Sequence, residues 1–188
     1  LVKQYDSFIC SSSKRILNLK KRIMAKITFK GSPVNTSGNL PAKGSMAPDF
    51  SLVKTDLGEL SLSGLKGKTV VLSISPSFDT GICATSVKKF NEYFAEKPGY
   101  VVLAITKDLP FAHNRFCTAE GIANVIPLSG FRDSKFGKDY GVEFIDGPFK
   151  GLYSRCIVIV DETGKIKYTQ QVPETAQDPD YDAVYNAL

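Results

Sequence analysis

Pro76, Thr80 and Cys83 lie in the stretch PSFDTGICATS, between the apolar run TVVLSIS and a segment with helical spacing. A cysteine in the first turn of a helix meets unpaired backbone N–H groups and the positive end of the macrodipole. Those conditions lower a thiol pKa and yield a reactive thiolate. Thr80, three residues earlier, falls in the cap region, where its hydroxyl reaches the sulfur or an oxygen bound beside it. Pro76 fixes the chain where the strand ends and shields the thiolate from bulk water. The competing reading is a small buried cysteine with Thr80 as a simple N-cap. Spacing alone leaves both open.

Cys117 follows 34 residues later, roughly two turns into the helix after the next strand. Helices of adjacent β–α units start on one side of a parallel sheet, so both sulfurs belong to one end of the molecule. Two turns rise about 10 Å, whereas a disulfide needs Cα atoms within about 7 Å. The pair is expected to be close but unbonded when reduced, with local unwinding needed to join it. An ordinary buried helical cysteine beside Phe116 is the alternative. Arg155 opens the buried run SRCIVIVD, an odd place for a permanent cation unless it faces an anion. A guanidinium there can hold a thiolate and substrate oxygens together; an arginine paired with an acid at a solvated strand end would look the same. Cys156 points to the opposite face by strand alternation and reads as structural. His113, the single histidine, invites a Cys–His hydrolase. It has no evident orienting partner and reads as a helix-surface residue.

Several elements must position these groups. KITF and the residues after it read as an N-terminal hairpin, with FSLVKT and ELSLS as short strands separated by turn signals. TVVLSIS (69–75) and YVVLAIT (100–106) are continuous β-branched runs suited to buried central strands. Residues 82–97 carry an apolar helical stripe of Val87, Phe90 and Phe94, stopped by Pro98-Gly99. LPFAHNRFCTAEG reads as a helix with Pro110 in its first turn and Gly121 at its end. VIPLS, YSRCIVIVD and KIKYTQQV are strands, SKFGKDYG a short helical piece, and DPDYDAVYNAL a closing amphipathic helix. Alternation of β and α predicts a mixed sheet flanked by helices, a thioredoxin-like α/β fold with an N-terminal β-hairpin.

The 188 residues suit one sizeable core, and no apolar stretch approaches the roughly 20 residues of a spanning helix. Residues 1–23 hold six basic side chains against Asp6, which accounts for the whole net charge of +5; the other 18 basic and 18 acidic residues cancel. A neutral body with a basic tail lacks the footprint of a nucleic-acid domain. The tail, including Cys10, admits three readings: a remnant of cloning or upstream translation, an organellar targeting segment, or a basic anchor. The domain proper is then 24–188. Four dispersed cysteines without CxxC spacing exclude a disulfide-stapled scaffold and make structural zinc a poor fit. A reducing compartment with one or two reactive thiols fits them.

Pro76, Thr80 and Cys83 spell PxxxTxxC, which resembles the active-site signature of peroxiredoxins. The strings PSFDTGICATS, KDLPFAHNRFC, GFRD and DGPFKGLYSRCIVIVDE are similar to those of the thiol peroxidase subfamily, the atypical two-cysteine peroxiredoxins of bacteria. The similarity runs from about Lys26 to the C-terminus. It implies a peroxidatic Cys83, a resolving Cys117 in the same chain, and Thr80, Arg155 and Pro76 as activating and shielding residues. It further implies a hydroperoxide substrate, no cofactor or metal, recycling by thioredoxin or a similar dithiol, a homodimer and a cytoplasmic location. Phe78, Ile82 and Phe149 suggest an apolar pocket rim. A peroxide sensor that passes its oxidation to a partner protein, or a thioredoxin-fold binding module with an unreactive Cys83, would carry much of the same sequence.

Overall fold

A computed structural model describes residues 26–188. The expectations for residues 1–23 and for Cys10 lie outside the described residues.

The described residues begin with a hairpin of β1 (Lys26–Phe29) and β2 (Ser32–Asn35), which form a separate two-stranded sheet; Thr28 of β1 also makes an isolated parallel bridge to Glu174. Its two-residue loop places Lys30 and Gly31 at φ 51° and 78°, the left-handed pair that matches the twist of a tight hairpin. β3 (Ser51–Val53) and β4 (Glu59–Ser61) follow, then a 3₁₀ turn at Ser63–Leu65. β5 (Thr69–Ile74), α1 (Gly81–Tyr93), β6 (Tyr100–Thr106), α2 (Pro110–Glu120) and β7 (Ile126–Ser129) form the β–α core. A short α3 (Phe136–Asp139), β8 (Cys156–Val160), β9 (Ile166–Gln171) and α4 (Tyr181–Asn186) complete the fold.

Seven strands make one sheet in the order β4-β3-β7-β6-β5-β8-β9. β5, β6 and β7 run parallel, whereas β8 pairs antiparallel with β5 and β9 antiparallel with β8. The β-branched central strands are buried on both faces. Leu72 and Ile74 face a cluster with Phe50, Phe136, Tyr140 and Tyr153. Val71 faces the other side, against Val87 and Phe90 of α1, Phe116 of α2 and Val184 of α4.

The two long helices end in different ways. α1 was expected to reach residue 97 but ends at Tyr93, and its last turns tighten: Ala95 N–H donates to Glu92 O and Lys97 N–H to Phe94 O. Pro98 disfavours helical backbone in the residue before it, and Gly99, at φ 93°, turns the chain into β6. α2 stops where expected, at left-handed Gly121 (φ 63°), with Ile122 N–H closing onto Cys117 O at 2.9 Å. Cys117 therefore belongs to the last turn of its helix. Among the described residues no helix is long and apolar enough to cross a membrane.

Candidate active site

The antiparallel direction of β8 decides the geometry of the site. Ile74, at the end of β5, pairs with Cys156 at the beginning of β8. Arg155, one residue before that strand, therefore stands at the edge where Pro76 leaves β5. Had β8 run parallel, the arginine would lie at the far end of the sheet. Cys156 joins the opposite cluster, where burial pushes its thiol far up, away from ionisation at neutral pH.

Thr80 is the N-cap of α1 in backbone conformation, yet its side chain caps no backbone N–H. Its hydroxyl instead donates to Cys83 Sγ at 2.7 Å and lies 3.0 Å from Ser77 O. The sulfur thereby takes the hydroxyl that a simple cap would use, and the first N–H groups of α1 keep their positive field. Cys83 itself is fully buried.

Arg155 is only 4% exposed. Its Nη2 donates to Thr175 O at 3.3 Å, while Nε and Nη1 find no hydrogen-bond partner among the described residues. No carboxylate pairs with it among them either. A buried cation with two unused donors is costly, and an arriving anion or oxygen is what would use them. Arg155 lines a cavity of about 150 Å³ with Pro76, Thr80, Ile82, Phe29, Phe149 and Thr175 among its walls. Cys83 is not among its walls; Thr80, which is, donates its hydroxyl to the sulfur. A roomier hollow of about 230 Å³, at the other end of β5 between Met46, Leu62, Val70 and Val160, contains no cysteine.

Two rim residues differ from the sequence reading. Phe78 is buried, not on the rim: its ring stacks on His113 at 4.4 Å and tilts against Phe116 at 5.1 Å. Phe29 takes its place, brought in by the hairpin and packed on Phe149 at 4.8 Å. No local signal marks Phe29 as a pocket residue, because its place depends on where the hairpin docks.

Cys117 lies half-buried on the α2 side, and burial pushes its thiol up to about 11. Cys83, Cys117 and Cys156 are all free thiols. Several ties hold the two cysteine-bearing helices side by side. Lys88 of α1 meets Glu120 of α2 at 2.5 Å, and Asn91 Oδ1 accepts the N–H groups of Ala123 and Asn124. Asp108, just before α2, accepts Phe78 N–H at 2.8 Å and so pins the loop that leads to Cys83.

His113 overturns its surface reading. It is wholly buried, with Nε2 2.8 Å from Thr106 Oγ1 and its ring against Phe78. Pro110, His113 and Phe116 form the inner face of α2, a stripe that a polar histidine conceals from a periodicity count. Burial pushes the imidazole down to about 4 despite the opposing pull of Asp108 and Asp79. The neutral form belongs to the folded state, so its contribution is full above pH 6.5 and is lost as pH falls towards 4. The shift corresponds to about 3 kcal/mol. Urea unfolding at pH 7 and at pH 4 is expected to differ by that much more in the wild type than in His113→Gln. Equal pH dependence in both proteins would refute the assignment.

The sheet, the hairpin and a buried thiol at a helix N-terminus, hydrogen-bonded by Thr80, which shares a cavity with Arg155, define a thiol-centred protein of thioredoxin-like α/β architecture. The redoxin family model matches residues 42–185. Thiol peroxidases of Mycobacterium tuberculosis and Corynebacterium glutamicum are each 53% identical over 165 residues, covering 88% of this chain and 99% of theirs. A peroxiredoxin-like protein from Aquifex aeolicus superposes with a TM-score of 0.82 at 41% identity, over 87% of this chain and 95% of its own. The thiol peroxidase from Chromobacterium violaceum, at 23% identity and a TM-score of 0.79 over 86% of this chain and 94% of its own, shares the fold. The chain belongs to the redoxin family, among the thiol peroxidases.

Proposed function

We propose that residues 24–188 form a peroxidase domain that reduces hydroperoxides at Cys83, with Cys117 as the resolving thiol. Arg155, buried with two guanidinium nitrogens unmatched among the described residues and lining a small cavity with Thr80, carries this reading. In the first step the Cys83 thiolate attacks the outer oxygen of ROOH; the O–O bond breaks, RO⁻ leaves and takes a proton, and Cys83 becomes a sulfenic acid. Arg155 and the first N–H groups of α1 offset charge on the sulfur and on both oxygens. Thr80 orients the sulfur through its hydroxyl, and Pro76 keeps bulk water from it. In the second step the Cys117 sulfur attacks the sulfenic sulfur, water leaves, and an intramolecular disulfide forms. A thioredoxin-type dithiol then exchanges with that disulfide, becoming oxidised as both thiols are restored.

A cytoplasm that keeps thiols reduced fits a chain of four dispersed cysteines without CxxC spacing. Exposed Leu109 and Phe111, at the start of α2, and Phe131, just after β7, offer apolar surface for the second subunit of a homodimer. The decisive experiment is the intact mass of reduced protein after one equivalent of hydrogen peroxide, followed by peptide mapping. Loss of two hydrogens with Cys83 linked to Cys117 is expected. Oxygen gained on Cys83 with Cys117 free would replace this reading by one-cysteine or sensor chemistry. The same spectrum under native conditions reads whether the chain is paired.

A further inference from the structure

Glu174 lies in the connector between β9 and α4, remote from either cysteine in sequence, yet it makes four hydrogen bonds at once. One carboxylate oxygen accepts Lys30 N–H and Ala176 N–H, each at 3.0 Å. The other accepts the Thr28 hydroxyl at 2.7 Å and Gly31 N–H at 3.1 Å. These contacts hold its carboxyl at about 2, well below the usual carboxylate range. Three of the four partners belong to the hairpin, and two are the amides of its left-handed turn. Lys30 is a non-glycine residue at φ 51°, an unfavourable conformation that an acceptor on its own amide helps to hold.

The same connector zips onto β1. Thr28 N–H donates to Pro173 O at 2.8 Å, and Thr175 N–H donates to Thr28 O at 2.8 Å. Phe29, the next residue, forms one wall of the Arg155 cavity, while Thr175 both lines that cavity and accepts from Arg155. Among the described residues the hairpin has no ladder bonds to the main sheet, so its seat depends on such contacts. From the other side Asp146 accepts Asn35 N–H and Nδ2, tying the hairpin to the loop that carries Phe149.

We propose that Glu174 is a positioning residue for substrate selection: by clamping the hairpin it fixes the Phe29 wall against Phe149, and that apolar wall favours organic hydroperoxides over hydrogen peroxide. This rests on the peroxidase reading of the Arg155 cavity. Hydrogen peroxide needs only the polar floor of Arg155 and Thr80. An alkyl or aryl hydroperoxide also requires an apolar surface beside them, and a displaced wall removes it. Any disturbance passed to Arg155 through Thr175 affects both peroxides alike and cancels in their ratio.

The test compares kcat/KM for cumene hydroperoxide and hydrogen peroxide in the full chain, with dithiothreitol as reductant. In Glu174→Ala the preference for cumene hydroperoxide is expected to fall about tenfold, mainly through KM. Glu174→Gln, which keeps one of the two oxygens, should fall between it and the wild type. Phe29→Ala, with the clamp intact, should reproduce the lost preference. An unchanged ratio in Glu174→Ala or Glu174→Gln, with the wild type turning over both peroxides, would overturn the clamp alone. If the wild type turned over neither, the peroxidase reading would fall and the clamp with it.

Discussion

Replacing Cys83 with serine is expected to reduce peroxide consumption to the uncatalysed background, while Cys117→Ser keeps a first turnover at the wild-type rate and then stalls. A serine hydroxyl at position 83 stays protonated near neutral pH and cannot attack the peroxide oxygen. Cys117 takes no part in that attack, so its loss is felt only afterwards. With the thiol pushed up to about 11, only about one Cys117 in 10⁴ is thiolate at pH 7. Exposure would restore an ordinary thiol pKa of about 8.5 and raise that fraction roughly 300-fold. Under the proposed mechanism, fraying of the last turn of α2, which Cys117 O closes through Ile122, favours resolution by exposing the thiol. In Cys117→Ser the sulfenic acid should persist, and a second equivalent of peroxide should carry Cys83 to the sulfinic state. Stopped-flow peroxide loss with intact mass reads both stages. Equal loss of the first turnover in the two variants would defeat this division of roles.

The strands and helices around these groups were legible because each rests on local chemistry. TVVLSIS and YVVLAIT are too continuously β-branched to be surface strands, and Pro110 and Gly121 bracket α2. PxxxTxxC was legible because a thiol, a hydroxyl and a rigid strand end at those intervals coincide at one helix N-terminus. What escaped depends on tertiary placement. The antiparallel run of β8 brings Arg155 to the reactive edge, and a five-residue apolar run does not announce its direction. Phe29 and Glu174 acquire their roles only when the hairpin docks, through partners more than 100 residues away in sequence. His113 was misplaced because burial of a polar ring depends on Thr106 and Phe78, which the helix containing it does not reveal.

Arg155→Met is expected to yield a more stable protein that reacts with peroxide about 10²–10³-fold more slowly. The rate falls because the donors aimed at the developing oxyanion disappear, and losses of that size follow removal of one preorganised donor. Stability moves the other way. The guanidinium is nearly fully buried, its single bond to Thr175 O is long at 3.3 Å, and two of its nitrogens are unmatched among the described residues. Each unsatisfied buried donor costs about 1–3 kcal/mol, whereas methionine fills similar space and asks for no partner. Replacing such a charge with an apolar residue is typically neutral to stabilising, here by about 1–3 kcal/mol. A guanidinium held in place for structure would give the reverse, a loss of stability on substitution. Urea midpoints and single-turnover rates on the same preparations distinguish the two. A destabilised variant with unimpaired reactivity would show that Arg155 serves the fold and not the reaction.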